Sequence, residues 1–328
     1  MSKIWEDKTI LVTGGTGSLG STLIRFLLSQ EAQPKKVICL SRGWIAQANL
    51  RRDLADNPRL RTLIGDVRDL DRLRIALHDV DYVIHTAALK SVRDCDYSPS
   101  ESLQTNVIGA WNVLSACLES SSVKKALLIS TDKSAGANTT YGASKALAEK
   151  LFIAWNSYSS NWGCKFSAVR YGNVLGSAGS VVHVFREQAF RGVPLTLTSE
   201  QMTRFWISLP DACKFVLRAL TDMHGGEVFV PKIKSSTLID LIQAMFGTYP
   251  HILIGPQPSE KIHEVMITDD ESRLVRDIGW GYCFEPQKTY WRASSSPWDA
   301  YPEAPGEYSS EKSTRMTINE LKEMLKDV

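Results

Sequence analysis

The stretch KTILVTGGTGSLGSTLIRFLL, residues 8–28, decides the fold of this chain. It begins with an apolar run that is typical of a strand buried on both faces of a parallel sheet. Gly14, Gly17 and Gly20 follow at three-residue spacing, and a helical pattern starts at Ser18 and runs to about Gln30. Glycines in such a turn let the backbone come close to a pyrophosphate at a helix N-terminus. The stretch therefore predicts dinucleotide binding, against the alternative of an ordinary flexible turn.

Strand-like runs alternate with helical stretches through the first half of the chain. The runs are KKVICLS, LRTLIGD, VDYVIHTA, KKALLIST and CKFSAVRY. Strands separated by helices of ten or more residues imply right-handed crossovers between parallel strands. We predict an α/β fold, a Rossmann-like doubly wound parallel sheet, with a smaller interleaved substrate-binding lobe.

The pattern breaks after Gly172, where segments shorten and prolines recur. RFWISLPDACKFVLRAL, residues 204–220, indicates a strand and a helix that return to the first domain. We predict three parts: a cofactor-binding Rossmann domain of residues 1–171 plus about 204–231, a substrate-binding lobe of about 172–203 plus 232–300, and a C-terminal loop and helix of 301–328.

Composition excludes several classes of protein. The chain has 328 residues and a formal net charge of +2, which offers no argument for nucleic-acid binding. No apolar run approaches the roughly 20 residues that span a bilayer, and the N-terminal residues do not resemble a signal peptide. The six cysteines are scattered without metal-ligand spacing, which favours buried thiols in a reducing compartment. We expect a cytoplasmic protein without a metal site or a membrane segment.

The end of the second predicted strand indicates which dinucleotide binds. Ser41 and Arg42 stand where NAD-preferring sites usually carry an acidic residue, and they suit a 2′-phosphate, although Arg42 could be a solvated surface charge. Asp66 is placed to accept from the adenine amine, and HTAALKSV, residues 85–92, passes the ribose and nicotinamide. We predict NADP. The expected cofactor residues are Gly14, Thr16, Gly17, Ser18, Leu19, Gly20, Ser41, Arg42, Asp66, Val67, Ala87, Lys90, Tyr141, Lys145 and Val174.

The stretch LLISTDKSAGANTTYGASKALAEKLF, residues 127–152, concentrates ionisable side chains at a strand end and the following turn. Thr131, Tyr141 and Lys145 form a Thr plus Tyr-x-x-x-Lys arrangement, and the i, i+4 spacing puts the last two on one helix face. A neighbouring ammonium and a positive nicotinamide would both favour the phenolate. Tyr141 is therefore a candidate base near neutral pH.

These motifs resemble those of a known family. TGGTGSLG followed by YGASK resembles the extended short-chain dehydrogenase/reductase superfamily. STDK, RYGNVLGSAGSVV, MTRFWI, GGEVFVPKI and SEKIHEVMI resemble the soluble UDP-N-acetylglucosamine 4,6-dehydratase (inverting) family. The resemblance runs nearly end to end, including EYSS at residues 307–310.

The resemblance implies a set of catalytic roles. Tyr141 would take the proton of the sugar 4-hydroxyl while a hydride passes from carbon 4 to NADP⁺, with Thr131 on the 4-oxygen and Lys145 on the nicotinamide ribose. Lys133, if neutral, would take the carbon 5 proton. Asp132, if protonated, would donate a proton to the leaving 6-hydroxyl. The product would be a 4-keto-6-deoxy sugar, inverted at carbon 5. A simple salt bridge between Asp132 and Lys133 is the alternative.

The resemblance also implies the substrate contacts. Asn173 would meet the sugar or phosphate, Arg204 the diphosphate, Lys90 both cofactor and sugar, and Glu260 the nucleoside. Gln257 is also expected at the substrate, but it stands where the family has an arginine, so a diphosphate partner is lost. Two further departures concern the loop of residues 134–137, where the family has Ala-Ala-Asn-Pro, and residues 91–93, where it has His-Val-Pro. These changes affect the expected sugar more than the reaction type.

The resulting hypothesis is an NADP-dependent lyase acting on a UDP-amino sugar for surface-glycan biosynthesis, as a homo-oligomer. A retaining 4,6-dehydratase or a 4-epimerase on a related nucleotide sugar is the nearer alternative. An epimerase would not need Asp132 and Lys133. A non-catalytic NADP-sensing protein on the same fold is the third possibility.

Overall fold

The computed structural model describes residues 4–29, 34–159, 163–256, 260–285, 296–326 and 328. The strands are β1 (Thr9–Thr13), β2 (Lys36–Ser41), β3 (Leu60–Ile64), β4 (Tyr82–His85), β5 (Lys125–Ile129), β6 (Lys165–Val169), β7 (Asn173–Val174), β8 (Leu195–Leu197), β9 (Thr203–Ile207), β10 (Val228–Pro231), β11 (Ser235–Thr237), β12 (His251–Leu253), β13 (Val265–Ile267), β14 (Val275–Asp277), β15 (Gly281–Phe284) and β16 (Tyr308–Ser309). The α-helices are α1 (Ser18–Ser29), α2 (Trp44–Asp53), α3 (Leu70–Ala76), α4 (Val92–Tyr97), α5 (Pro99–Ser102), α6 (Gly109–Glu119), α7 (Thr140–Ala154), α8 (Val181–Phe190), α9 (Leu209–Asp222), α10 (Leu238–Phe246), α11 (Asp269–Ser272) and α12 (Ile318–Leu325). A π-helical stretch (Leu103–Ile108) and two 3-10 turns (Asp132–Ser134 and Trp155–Ser157) complete the helices of the described residues.

A nine-stranded sheet forms the centre of the molecule, in the order β14-β15-β10-β6-β5-β4-β1-β2-β3. The strands from β3 across to β10 are parallel, and β15 pairs antiparallel with both β10 and β14. Successive strands run outward from β1 in opposite directions, so the crevice between the carboxyl ends of β1 and β4 is a topological switch point. The predicted Rossmann-like parallel sheet is confirmed.

Apolar side chains fill both faces of this sheet. On one face, Ile10 and Val12 of β1 pack with buried residues of α1 and α9. On the other face, Leu11 packs with α6 and α7, where Val113 and Phe152 are buried. Full burial of such a side chain contributes about 1.5–3 kcal/mol. Coverage on both faces explains why the strands are continuous apolar runs instead of alternating ones.

A smaller lobe stands beside the sheet. It contains the sheet β11-β9-β7, the pair β12-β8 and helices α8, α10 and α12 around their own apolar core. Three strands lie elsewhere than the predicted division placed them. β9 belongs to this smaller sheet and not to the first domain, and the β14–β15 hairpin extends the large sheet although residues 232–300 were assigned to the lobe. Strands this short carry no periodicity that identifies their partners, so the division into domains stays a prediction.

Two further observations concern composition. All six cysteines are buried. Within the ranges that the structure describes, no helix has the length and apolar character needed to cross a membrane.

Candidate active site

A cavity of about 770 Å³ opens at the carboxyl ends of the parallel strands. Residues within two positions of the ends of β1, β2, β3, β4, β5 and β6 all contribute to its wall. Every residue predicted for the cofactor lies on this wall, as do Thr131, Asp132 and Lys133. One cavity thus contains the side chains expected for the cofactor and those expected for the chemistry.

The glycine turn between β1 and α1 has the shape of a pyrophosphate cradle. Gly14 has φ +64°, and a Cβ there would lie 2.8 Å from the Ala87 backbone. A Cβ on Gly20 would lie 2.5 Å from the Gly14 carbonyl oxygen. The first turn of α1 contains no acidic residue, so its N–H groups face the cavity without a competing negative charge. The turn therefore fits the phosphates of a dinucleotide.

The end of the cavity at β2 and β3 contains Ser41, Arg42 and Asp66. Ser41 Oγ accepts a hydrogen bond of 2.9 Å from Gln47 Nε2, while the Arg42 side chain is exposed at the cavity wall. Burial pushes the pKa of Asp66 upward, but hydrogen bonds from Arg68 outweigh it and the pKa is lowered. Asp66 is therefore an ionised acceptor, and Arg42 is an exposed cation on the cavity wall.

Thr131, Asp132 and Lys133 form the turn that follows β5. Lys133 Nζ lies 3.1 Å from Asp132 Oδ1, and Thr131 Oγ1 donates to the same oxygen at 2.9 Å. Burial raises the pKa of Asp132 although the Lys133 ammonium opposes it. Burial alone would lower the pKa of Lys133, but the Asp132 and Glu264 carboxylates outweigh it and the pKa is raised. At rest the cluster is an ion pair with the proton on Lys133.

Glu264 is a site residue that the sequence analysis missed. It is buried, and its Oε1 lies 3.0 Å from Lys133 Nζ and 3.7 Å from Arg204 Nε. Its signal was present in SEKIHEVMI, where an acidic residue stands directly before the apolar strand β13. A carboxylate in that position needs a buried cation, but the cation could not be identified without the fold.

Tyr141 and Lys145 lie on the first turns of α7. Burial raises the pKa of Tyr141 to about 12, against the lowering effects of the Lys133 ammonium and of a hydrogen bond with Thr131. Burial lowers the pKa of Lys145 to about 8 although the Glu149 carboxylate opposes it. Lys145 Nζ donates to the Ile129 carbonyl oxygen at 2.6 Å. The phenol therefore needs a further positive charge in the cavity before it can act as a base near neutral pH.

A glycine allows this helix to approach the catalytic turn. A Cβ on Gly142 would clash with the Lys133 carbonyl oxygen. The Thr139 side chain accepts from the Gly142 N–H and begins the helix. Close packing of the helix start against the turn places Tyr141 beside Thr131 and Lys133.

The residues predicted for the substrate lie in different places. Lys90 and Asn173 are on the cavity wall, and Lys90 Nζ donates to the Ala178 carbonyl oxygen at 2.6 Å. Arg204 and Glu260 lie beside the cavity instead of on its wall. Gln257 falls outside the described residues.

Arg204 has protein partners in place of an open position toward a diphosphate. Its guanidinium donates to the carbonyl oxygens of Thr203, Ile262 and Lys261 at 2.8–3.0 Å. Its Nη2 also lies 3.8 Å from Glu260 Oε1. In this structure Arg204 organises the segment of residues 260–264.

Two of the departures from the expected family pattern, at residues 91–93 and 134–137, also border the site. Arg93 lies on the cavity wall. In the loop of residues 134–137, the Ala135 carbonyl oxygen accepts from Lys261 Nζ at 2.7 Å. The loop that differs from the family is thus tied to the segment that carries Glu264.

Comparisons with known proteins agree with this geometry. A family model described as "Polysaccharide biosynthesis protein" matches residues 10–283. A UDP-N-acetylglucosamine 4,6-dehydratase (inverting) of Campylobacter jejuni is 44% identical over 86% of this chain and 84% of the relative. A UDP-glucose 4-epimerase of Rickettsia felis is 39% identical over 85% and 83%. The X-ray structure of Pen from Bacillus thuringiensis is 32% identical, covers 99% of both chains and has a TM-score of 0.88.

Proposed function

The chain belongs to the polysaccharide biosynthesis protein family, and from this premise we propose that it is an NADP-dependent 4,6-dehydratase of UDP-N-acetylglucosamine. The product is a 4-keto-6-deoxy sugar, inverted at carbon 5. The predicted resemblance to the extended short-chain dehydrogenase/reductase superfamily and to its inverting dehydratases is confirmed at the level of the family.

One observation supports the proposal above all others. The cavity brings an acid–base pair, Asp132 and Lys133 at 3.1 Å, next to Tyr141, which would act as the base when the sugar is oxidised. Oxidation at carbon 4 alone needs only Tyr141 and a cofactor. Removal of water from carbons 5 and 6 also needs a base for the carbon 5 proton and an acid for the 6-hydroxyl.

The residues on the wall fit an NADP cofactor. The glycine turn would hold its pyrophosphate, Arg42 its 2′-phosphate, and Lys145 its nicotinamide ribose. When bound, NADP⁺ would accept a hydride from carbon 4 and give it back at carbon 6. Beside that positive ring, Tyr141 would have its raised pKa lowered toward neutral pH.

The chain's own residues then move the protons. Tyr141 takes the proton of the 4-hydroxyl, and Thr131 donates a hydrogen bond to the 4-oxygen. A proton crosses the 3.1 Å contact from Lys133 to Asp132, which yields a neutral amine and a protonated carboxyl group without changing the total charge. Burial of Asp132 favours this form because it disfavours a carboxylate.

Elimination follows from that form. The new 4-ketone acidifies the proton on carbon 5, and Lys133 takes it while Asp132 protonates the departing 6-hydroxyl, which leaves as water. Return of a proton to carbon 5 from the opposite face inverts that centre. Asn173 and Lys90, which lie on the same wall, would orient the sugar and its phosphates.

A 4-epimerase is the second candidate, because one relative of similar identity carries that name. An epimerase turns the 4-keto sugar over and returns the hydride to carbon 4. It leaves Asp132 and Lys133 without a task, and a buried ion pair of this kind is costly to keep when it is not used. The pair therefore favours the dehydratase.

The deciding experiment is incubation of the purified protein with UDP-N-acetylglucosamine in deuterium oxide, followed by NMR and mass spectrometry. We expect loss of one water, a new methyl signal and deuterium at carbon 5, with ring couplings that report the inversion. UDP-N-acetylgalactosamine as the only product would establish the epimerase instead. Unchanged UDP-N-acetylglucosamine after NADP⁺ is supplied would reject both reactions on this sugar.

We also propose the setting of this activity. The ketosugar would enter surface-glycan biosynthesis, and the protein would act in the cytoplasm as a homo-oligomer. Light scattering during size-exclusion chromatography measures the oligomeric state directly, and a monomer at micromolar concentration would contradict that part.

A further inference from the structure

Glu264 contacts Lys133 but has no role in the proton transfers proposed above. Its side chain is buried, and its Oε1 contacts Lys133 Nζ at 3.0 Å, closer than its 3.7 Å approach to Arg204 Nε. Its other oxygen, Oε2, is buried without a hydrogen-bond partner among the described residues. The carboxylate therefore lies closer to the amine than to the guanidinium.

The backbone holds this carboxylate in place. The Glu264 N–H donates to Ser310 Oγ at 2.9 Å, and Ser310 Oγ also contacts Thr203 Oγ1 at 2.7 Å. On the other side, Lys261 Nζ donates to the Ala135 carbonyl oxygen, next to the catalytic turn. Both ends of the contact between Glu264 and Lys133 are thus anchored.

The charged groups that face Lys133 come from four elements. Asp132 lies on its own turn, Tyr141 on α7, Arg204 on β9 and Glu264 directly before β13. Lys261 faces Glu264 from the same segment.

These charges balance in two arrangements. With Lys133 as an ammonium, Asp132 and Glu264 offset Lys133 and Arg204. With Lys133 neutral and Asp132 protonated, Glu264 offsets Arg204 together with the less buried Glu260. Without Glu264, Asp132 would be the one carboxylate in contact with Lys133, which would favour its ionised form over the protonated form that the leaving hydroxyl needs.

We propose that Glu264 is a positioning residue for the base: it holds the Lys133 side chain toward the sugar and stabilises the ammonium that forms when Lys133 takes the carbon 5 proton. The inference rests on the proposed function and extends it to a residue that touches neither sugar nor cofactor. The arrangement parallels the carboxylate that orients the histidine of a serine-protease triad. If Glu264 acted on Arg204 instead of on Lys133, removing its charge would change the proton affinity of Lys133 little.

Competitive labelling tests this difference without any sugar. The protein is acetylated with a trace of isotopic acetic anhydride between pH 7 and pH 12, and mass spectrometry measures the reactivity of each lysine. In Glu264→Gln we expect the pH at which Lys133 becomes reactive to fall by at least about one unit, because an opposite charge within 4–6 Å is removed. Glu264→Asp keeps the charge and should restore most of the shift.

Glu311→Gln is the matched control. Glu311 is exposed and contacts His263 Nε2 at 3.7 Å, so the substitution removes one carboxylate close to the same segment without touching Lys133. Lys133 should then react as in the wild type. An unchanged Lys133 midpoint in folded Glu264→Gln, or an equal shift in Glu311→Gln, would overturn the inference.

The wild-type protein supplies a second test should Glu264→Gln fail to fold. Burial lowers the pKa of Lys90, which shares the cavity but has no carboxylate contact within the described residues. Lys133 should therefore become reactive at a clearly higher pH than Lys90. Equal or earlier reaction of Lys133 would reject the proposal. Absence of dehydration in the wild type would reject the proposed function and leave the labelling result intact.

Discussion

In the proposed reaction, Lys133 separates dehydration from a simple oxidation at carbon 4. The structure places its amine between two buried carboxylates, 3.1 Å from Asp132 and 3.0 Å from Glu264. A lysine in that environment is an ammonium at rest, so its use as a base depends on the proton that Asp132 can accept. Reaction type is therefore decided by a proton position inside one small cluster.

Lys133→Met tests the role of this amine. We expect the rate of dehydration to fall by at least about 100-fold, because general base catalysis contributes about 10²–10⁴. Oxidation of the sugar should remain, since Thr131, Tyr141 and Lys145 are intact. Absorbance at 340 nm after addition of UDP-N-acetylglucosamine measures reduced cofactor, and NMR of the methyl group measures product.

Lys150→Met provides the comparison, because Lys150 is exposed on the same helix, α7. It should behave as the wild type in both assays. Methyl formation at the wild-type rate in Lys133→Met would remove Lys133 from the mechanism.

Arg42→Ala tests the choice of cofactor. Arg42 is an exposed cation on the cavity wall, in the place where a 2′-phosphate would lie. Loss of one charge-assisted contact of about 1.4 kcal/mol should weaken NADP⁺ binding about tenfold and leave NAD⁺ binding nearly unchanged. Isothermal titration of cofactor-free protein measures both affinities, with the exposed Arg61→Ala as a control. Equal affinities of the wild type for the two cofactors would contradict the NADP prediction.

The turn between β1 and α1 requires glycine for steric reasons. A methyl group at position 20 would lie 2.5 Å from the Gly14 carbonyl oxygen, which is backbone and cannot move aside alone. The residues that enter the cofactor cavity therefore also hold the first strand and helix in contact. A larger residue at position 20 should therefore weaken cofactor binding and lower the stability of this turn at the same time.

Gly20→Ala should lower the free energy of unfolding by about 1–3 kcal/mol, the usual cost of overpacking. The purified variant should also retain less cofactor. Gly43→Ala is the control for stability, because a Cβ there would meet only the Ala46 Cβ at 3.8 Å and the residue has φ −83°. Thermal unfolding and cofactor release on denaturation measure the two effects. A Gly20→Ala protein as stable as Gly43→Ala would show that the turn can widen.

Arg170 connects the large sheet to the rest of the molecule. It follows β6, pairs with Glu149 on α7 and Glu271 on α11, and donates to the Met266 carbonyl oxygen at 2.7 Å. Glu149 in turn accepts from Ser134 of the catalytic turn at 3.3 Å. The network therefore links the packing of three elements to the position of the acid–base cluster.

The pH dependence of stability should report this network. Burial pushes the pKa of Glu271 upward, but Arg170 outweighs it and the pKa is lowered below 4.5. A lowered pKa in the folded state means that Glu271 stabilises the protein above pH 4.5 and loses this contribution as the pH falls below it. The ion pair between Glu271 and Arg170 therefore stabilises the folded protein at neutral pH.

Glu271→Gln separates the charge from the capping box with Thr268, which glutamine can also form. The free energy of unfolding should fall by about 1–2 kcal/mol at pH 7, and the difference from the wild type should shrink toward pH 3.5. Urea unfolding at pH 7 and at about pH 3.5 measures this difference in the free energy of unfolding. Glu187→Gln, which removes an exposed pair with Arg191, should cost at most about 0.5 kcal/mol. A difference that stays constant with pH would exclude the ion pair as its cause.

The sequence alone was sufficient for the parallel sheet, the glycine turn and most of the cavity wall. These features follow from local patterns, because the carboxyl ends of parallel strands meet at one edge and whatever follows them is brought together. Ser41 ends β2, and Asp66 and Thr131 each stand two residues after a strand, so their shared location could be predicted from strand order. The family followed from motifs that are also local.

Only the tertiary structure decided the partners of the buried charges. Glu264 meets Lys133, Arg204 donates to three backbone carbonyls, and the β14–β15 hairpin joins β10, all through contacts between segments far apart in the chain. A periodic pattern states that a side chain is buried, but it does not identify the group that neutralises it. That identity depends on long-range packing, which is why Asp132 and Lys133 could be proposed from the family resemblance while the contact between Glu264 and Lys133 could not.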